Sequence, residues 1–96
     1  MEERKFKTTF FEDFTIADHF WIGAIQETFE RAFSERKTDY KYLTELVIAL
    51  NWKMFQWYKK DNTKAQVYQD LFQKADDYAM ENLKDEELNY FLTETD

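Results

Sequence analysis

A chain of 96 residues with no cysteine, no proline and one glycine has no disulfides, thiolate metal sites or thiol nucleophiles, and too few turn residues for a β-rich fold. Hydrophobic content of 44% against 34% charged describes one soluble globular domain over residues 1–96 rather than a disordered chain. The net charge of −7 lies in the last 21 residues, where eight acids stand against Lys84 alone, an asymmetry that argues against direct binding to nucleic acid or to an anionic membrane.

The chain opens on Met1-Glu-Glu-Arg-Lys, which lacks the apolar run of a signal peptide. No stretch approaches the roughly 20 apolar residues of a membrane span, and the expected location is the cytoplasm. Residues 4–14, KFKTTFFEDF with its flank, read as an irregular aromatic arm or one short strand, because Phe11 and Phe14 break the alternation of Phe6, Thr8 and Phe10. Thr15-x-x-Asp18 matches a helix-start pattern and predicts a short helix to about Phe20. A break near Phe20–Gly23 follows, since Ile16 and Phe20 project opposite to the next stripe.

That stripe, Trp21, Ile25, Phe29, Ala32 and Phe33, predicts a first long helix from about Trp21 to Arg36. Thr38 or Asp39 caps a second, running to about Lys60. This one is apolar on two faces: Leu43, Leu46, Val47, Leu50, Met54, Trp57 and Tyr58 form one stripe, and Ile48, Trp52 and Phe55 form another. Only a narrow sector around Glu45, Ala49, Lys53, Gln56 and Lys60 is left for water. A surface helix needs one apolar stripe, so this helix is the centre of the domain or of an interface.

Asp61-Asn62-Thr63 is a short connection, with Thr63 and Gln66 as a capping box. The third helix carries Val67, Tyr68, Leu71, Phe72, Ala75, Tyr78 and Ala79 on one face. A short last helix from Asp85 is suggested by Leu88, Phe91 and Leu92. Short connections between long helices make antiparallel neighbours, and the expected fold is all-α: a three-helix up-down-up bundle with a short N-terminal aromatic arm and a short C-terminal helix. The first and third helices cover the larger stripe of the second. Ile48, Trp52 and Phe55 still need a lid: the aromatic arm (Phe6, Phe10, Phe11, Phe14), the C-terminal turn, or a second copy in a twofold dimer.

Nothing in the chain spells a catalytic site, and it is read as not an enzyme. Ser34 and His19 are the sole serine and histidine, and a solvated polar residue explains Ser34. His19 with Asp13 or Asp18 lacks zinc-ligand spacing, and the Glu-x-x-His pairs of di-iron bundles are missing, so no metal or cofactor is expected. Glu27 and Glu30 read as a solvated face, and the two lysine and arginine clusters, at 36–41 and 59–64, as helix-end cations. Two binding surfaces remain. One is aromatic, built from Ile48, Trp52, Phe55, Phe10 and Phe11, with Trp52 its hot spot if an interface forms there, although the general preference for burying large apolar groups favours Trp52 as core. The other is an acidic ridge of Asp70, Asp77, Glu81 and Asp85, which could imitate a phosphate backbone and otherwise reads as a solubilising face.

Three stretches carry a resemblance: Phe14-Thr-Ile-Ala-Asp18, then Asp39-Tyr-Lys-Tyr-Leu-Thr-Glu-Leu-Val-Ile-Ala-Leu-Asn-Trp-Lys53, then Ala75-Asp-Asp-Tyr-Ala-Met-Glu-Asn-Leu-Lys-Asp-Glu-Glu-Leu-Asn-Tyr90. They resemble small all-helical proteins of bacteriophages and conjugative elements, a family without an assigned activity, so no residue role transfers from it. What the resemblance implies is an accessory protein of a mobile element in a bacterial cytoplasm. The expected partner is then a protein, either a second copy in a homodimer or a host protein. The alternative is an acidic nucleic-acid mimic that inhibits a host DNA- or RNA-binding protein.

Overall fold

The helix expected at the centre is the centre. In the computed structural model, which describes residues 10–95, eight consecutive residues from Leu43 to Leu50 are buried. All four other helices touch this one. The order is α1 (Phe10–Ala17), α2 (Ile22–Arg36), α3 (Tyr40–Trp57), α4 (Asn62–Asn82) and α5 (Asp85–Thr95). The described residues are helical throughout except for the connections, with no strand among them.

The 3.6-residue period accounts for α2, α4 and α5. On α2 Ile25, Phe29, Ala32 and Phe33 are buried, on α4 Tyr68, Leu71, Ala75 and Ala79, and on α5 Phe91. Burying a residue the size of Phe91 contributes about 2–3 kcal/mol, enough to hold the eleven-residue α5 against α3. Asp39 caps α3 by accepting from the Lys41 N–H at 3.1 Å. Asp61 caps α4 by accepting from Lys64 at 3.2 Å, so the capping box expected at Thr63 is not used. Gln66 instead donates to Asp70 one turn on.

The N-terminal region departs most from expectation. Residues 10–14 are not an irregular arm or a strand but the first turns of α1, which ends at Ala17 where a helix was expected to be running on to Phe20. Thr15 sits inside α1 and donates back to the Phe11 carbonyl at 2.9 Å rather than starting a helix. The rest of the expected arm, Phe6 included, lies outside the described residues, as does Asp96. The break before α2 falls where expected, as a turn over residues 18–20.

The sector of α3 reserved for water is also corrected. Glu45, Ala49 and Lys53 are buried, and only Gln56 and Lys60 face solvent. α1 lies against α3 and takes the place assigned to water. Phe11 of α1 covers this flank: its ring stands edge-on to Trp52 at 6.4 Å between centroids, and the Lys53 ammonium lies 4.8 Å from its centre.

Candidate functional site

Lys53 is fully buried, 0% exposed, and a charge taken out of water needs a partner. Its partner is Asp18, just past the C-terminus of α1, with Lys53 Nζ 2.8 Å from Asp18 Oδ2. Two further donors complete the carboxylate. Trp57 Nε1 donates to Oδ2 at 3.0 Å, and the Tyr68 hydroxyl donates to Oδ1 at 2.5 Å. Lys64 Nζ donates to the Asp18 main-chain oxygen at 2.9 Å and lies 4.3 Å over the Trp57 ring. One residue of the α1–α2 turn thus gathers side chains from the last turns of α3 and the first turns of α4.

The arrangement offsets an electrostatic cost of the local fold. A carboxylate after a helix C-terminus faces the negative end of the helix dipole, and here two ammonium groups and two neutral donors answer it. Burial, then the hydrogen bond to Asp18 and its charge, hold the Tyr68 hydroxyl far above the ordinary tyrosine value. Tyr68 therefore keeps its proton and acts as a donor. Lys53 spends a second donor on Gln56 Oε1 at 3.0 Å. The cluster is a closed polar network, and its chemistry is to fix the α1–α2 turn against the α3–α4 turn.

Just past the network the chain is exposed and aromatic. Phe20 and Trp21, two and three residues after Asp18, are 69% and 63% exposed. Trp21 was expected on the buried stripe of α2. It instead stands at the N-cap of α2 with extended backbone, φ −144° and ψ 164°, so the helical period does not reach it. Gly23, the only glycine of the chain, makes room for it: a Cβ there would overlap the Trp21 indole ring. At the same end of the molecule Phe55 and Tyr58 are exposed and, with Ala65, Gln66 and Gln69, line a shallow depression of about 320 Å³.

The residues expected to form the aromatic surface are divided by the fold. Phe10 and Ile48 are buried, Phe11 and Trp52 are half-buried against each other, and Phe55 alone of the five is exposed. Trp52 therefore has a neighbour from its own chain. Of the acidic residues, Asp70, Asp77 and Glu81 lie on the solvent face of α4. Asp85 does not continue that ridge, because α4 ends at Asn82 and Leu83 turns inward before α5 begins. Gln66 and Gln73 donate to Asp70 and Asp77. Burial, then the charge of Asp77, raises Asp76 above the ordinary carboxylate value.

His19 lies in the α1–α2 turn and Ser34 in the last turn of α2, roughly 20 Å apart by helical rise. Among the described residues no group of three His, Cys, Asp or Glu side chains could hold a metal ion, and no helix is long and apolar enough to cross a membrane.

No protein-family model, curated protein or solved structure matches the chain.

Sequence reasoning missed Asp18, Lys53 and Tyr68 as a unit. The available signal was the narrowness of the polar sector on α3. A helix apolar on two faces leaves a lysine between them little water, and such a lysine demands a carboxylate from another element.

Proposed function

We propose that the chain is a non-enzymatic protein-binding module and that the Phe20–Trp21 turn is the centre of its docking surface. One observation carries this reading: two consecutive aromatics, each more than 60% exposed, stand two and three residues beyond Asp18, which is itself tied to α3 and α4. Tryptophan and neighbouring aromatics dominate interface energetics, and a prearranged turn binds without the ordering cost of a flexible one. The resemblance to proteins of bacteriophages and conjugative elements fits an accessory role in a bacterial cytoplasm, with a host protein as the partner. Affinity capture from bacterial lysate tests this. The wild-type chain retains a partner that a Phe20→Ala/Trp21→Ala variant of equal helicity does not; equal capture by both removes the reading.

A second reading, the nucleic-acid mimic, is favoured by the outward acids Asp70, Asp77 and Glu81 of α4 and by Asp85, Glu86 and Glu87 at the start of α5. It predicts capture of nucleic-acid-binding host proteins that salt releases. Neutralising Asp70, Asp77, Glu81 and Asp85 abolishes that capture, whereas under the first reading it leaves binding intact.

A further inference from the structure

Between α1 and α2 runs an open groove of about 490 Å³ that Phe20 also lines. Ile16, 59% exposed, forms one wall, and small residues, Ala17, Ala24 and Ala32, line it. Along its α2 side Ala24, Thr28, Arg31 and Glu35 recur at spacings of four, three and four, the seam along which a helix meets another helix. Alanine and threonine on such a seam let two backbones approach closely.

The charges indicate what fits. Glu27, Arg31 and Glu35 all line the groove, and none has an ion-pair partner among the described residues. Glu27 precedes Arg31 by four, the order that favours pairing within a helix, yet the two are not within salt-bridge distance. Both signs lie interleaved on one helix face, so the surface complements its own copy turned antiparallel. Arg36 and Asp13 complete the rim, which nearly cancels in charge. That matters for a chain of net charge −7, whose copies repel through the acidic faces of α4 and α5 and meet with least repulsion where charge is balanced.

We infer that the α1–α2 groove is a self-association surface, through which two copies pair as a twofold dimer with α2 antiparallel to α2. The axis passes between Thr28 and Arg31. Thr28 of one copy then lies level with Arg31 of the other, and Arg31 within one residue of the opposing Glu27. Ile16 is covered at each end, and the two α1–α2 hairpins form a four-helix layer, an isologous contact. The inference extends the protein-binding reading to a second surface that shares Phe20 with the first, and variants outside the shared residue separate the two. Trp21→Ala lowers host-protein capture and leaves the dimer mass untouched, whereas the Glu27 and Arg31 reversals lower the dimer mass and leave capture untouched.

Sedimentation equilibrium of the full chain from about 1 to about 200 µM is the test, with helicity checked by circular dichroism. The wild type shows reversible dimerisation. Glu27→Arg alone and Arg31→Glu alone each weaken it about tenfold, and the double reversal restores it to within about threefold, since the pairs reform with signs exchanged. Ile16→Glu weakens it independently of the charge pair. A strictly monomeric mass across the range overturns the inference. So does a dimer indifferent to the single reversals, or a double variant no tighter than either single one.

Discussion

The Lys53 ammonium and the Asp18 carboxylate meet at 2.8 Å with both side chains essentially out of solvent, and this pair ties the end of α1 to the central helix. Lys53 belongs to the central helix and Asp18 to the turn after α1, 35 residues apart in sequence. Breaking a buried pair by removing one partner is costly because the other charge stays uncompensated.

Asp18→Ala is therefore expected to lower stability by about 3–5 kcal/mol, a large part of what a domain of this size has. Lys53→Met costs less, since Trp57 and Tyr68 still donate to Asp18. Asp18→Asn with Lys53→Met costs less than the sum of the two single changes, Asp18→Asn and Lys53→Met, by about 1–3 kcal/mol. Urea denaturation of the three variants and the wild type measures this coupling. Strict additivity would show that the pair does not act as a unit.

The raised Tyr68 value gives a pH dependence with a definite sign. Above pH 10, the ordinary tyrosine value, the unfolded chain releases this proton and the folded chain keeps it. The native state then binds more protons than the unfolded one, so stability falls as pH rises. Between pH 10 and 11 this group removes about 1 kcal/mol from the wild type, a decrement Tyr68→Phe lacks. At pH 7 the variant is less stable by about 1–2 kcal/mol, because Asp18 Oδ1 loses its donor. The stability gap between the two chains should narrow on raising pH from 10 to 11; a constant gap contradicts the assignment.

Gly23→Ala separates stability from binding. Alanine favours a helix over glycine by up to about 1 kcal/mol, and the displaced group is an exposed indole rather than backbone. Thermal stability should hold or rise slightly, while the Trp21 ring is pushed from its position. In a proton NMR spectrum one of the three tryptophan indole N–H signals moves and two stay. Affinity for the captured partner falls about tenfold. Unchanged affinity with a shifted Trp21 signal would place Trp21 outside the contact.

Much of this architecture was legible in the letters, for physical reasons that also explain the failures. α2, α4 and α5 each bury a single apolar stripe, and such periodicity survives any choice of neighbour. α3 announced its central place through its two stripes. The pattern could not say which element would cover each flank, so Lys53 was assigned to water while α1 in fact encloses it. Trp21 was misplaced because it precedes the first helical residue, where a 100° rotation no longer applies. Phe55 was expected under a lid and is exposed, since α1 reaches Trp52 through Phe11 and the lid does not extend a turn further. Asp18 looked like part of a helix start. Its role depends on Trp57, Tyr68 and Lys64, 39 to 50 residues away, and no local spacing encodes that.

The most direct test of the account is chemical-shift mapping of the ¹⁵N-labelled chain titrated with the protein it captures. Perturbed amides should cluster over residues 16–24, with the Trp21 indole among the most shifted, and the far face of α4 should stay unchanged. Shifts confined to residues 70–94, with the Phe20–Trp21 turn silent, would contradict the claim that this fixed aromatic corner is where the chain binds.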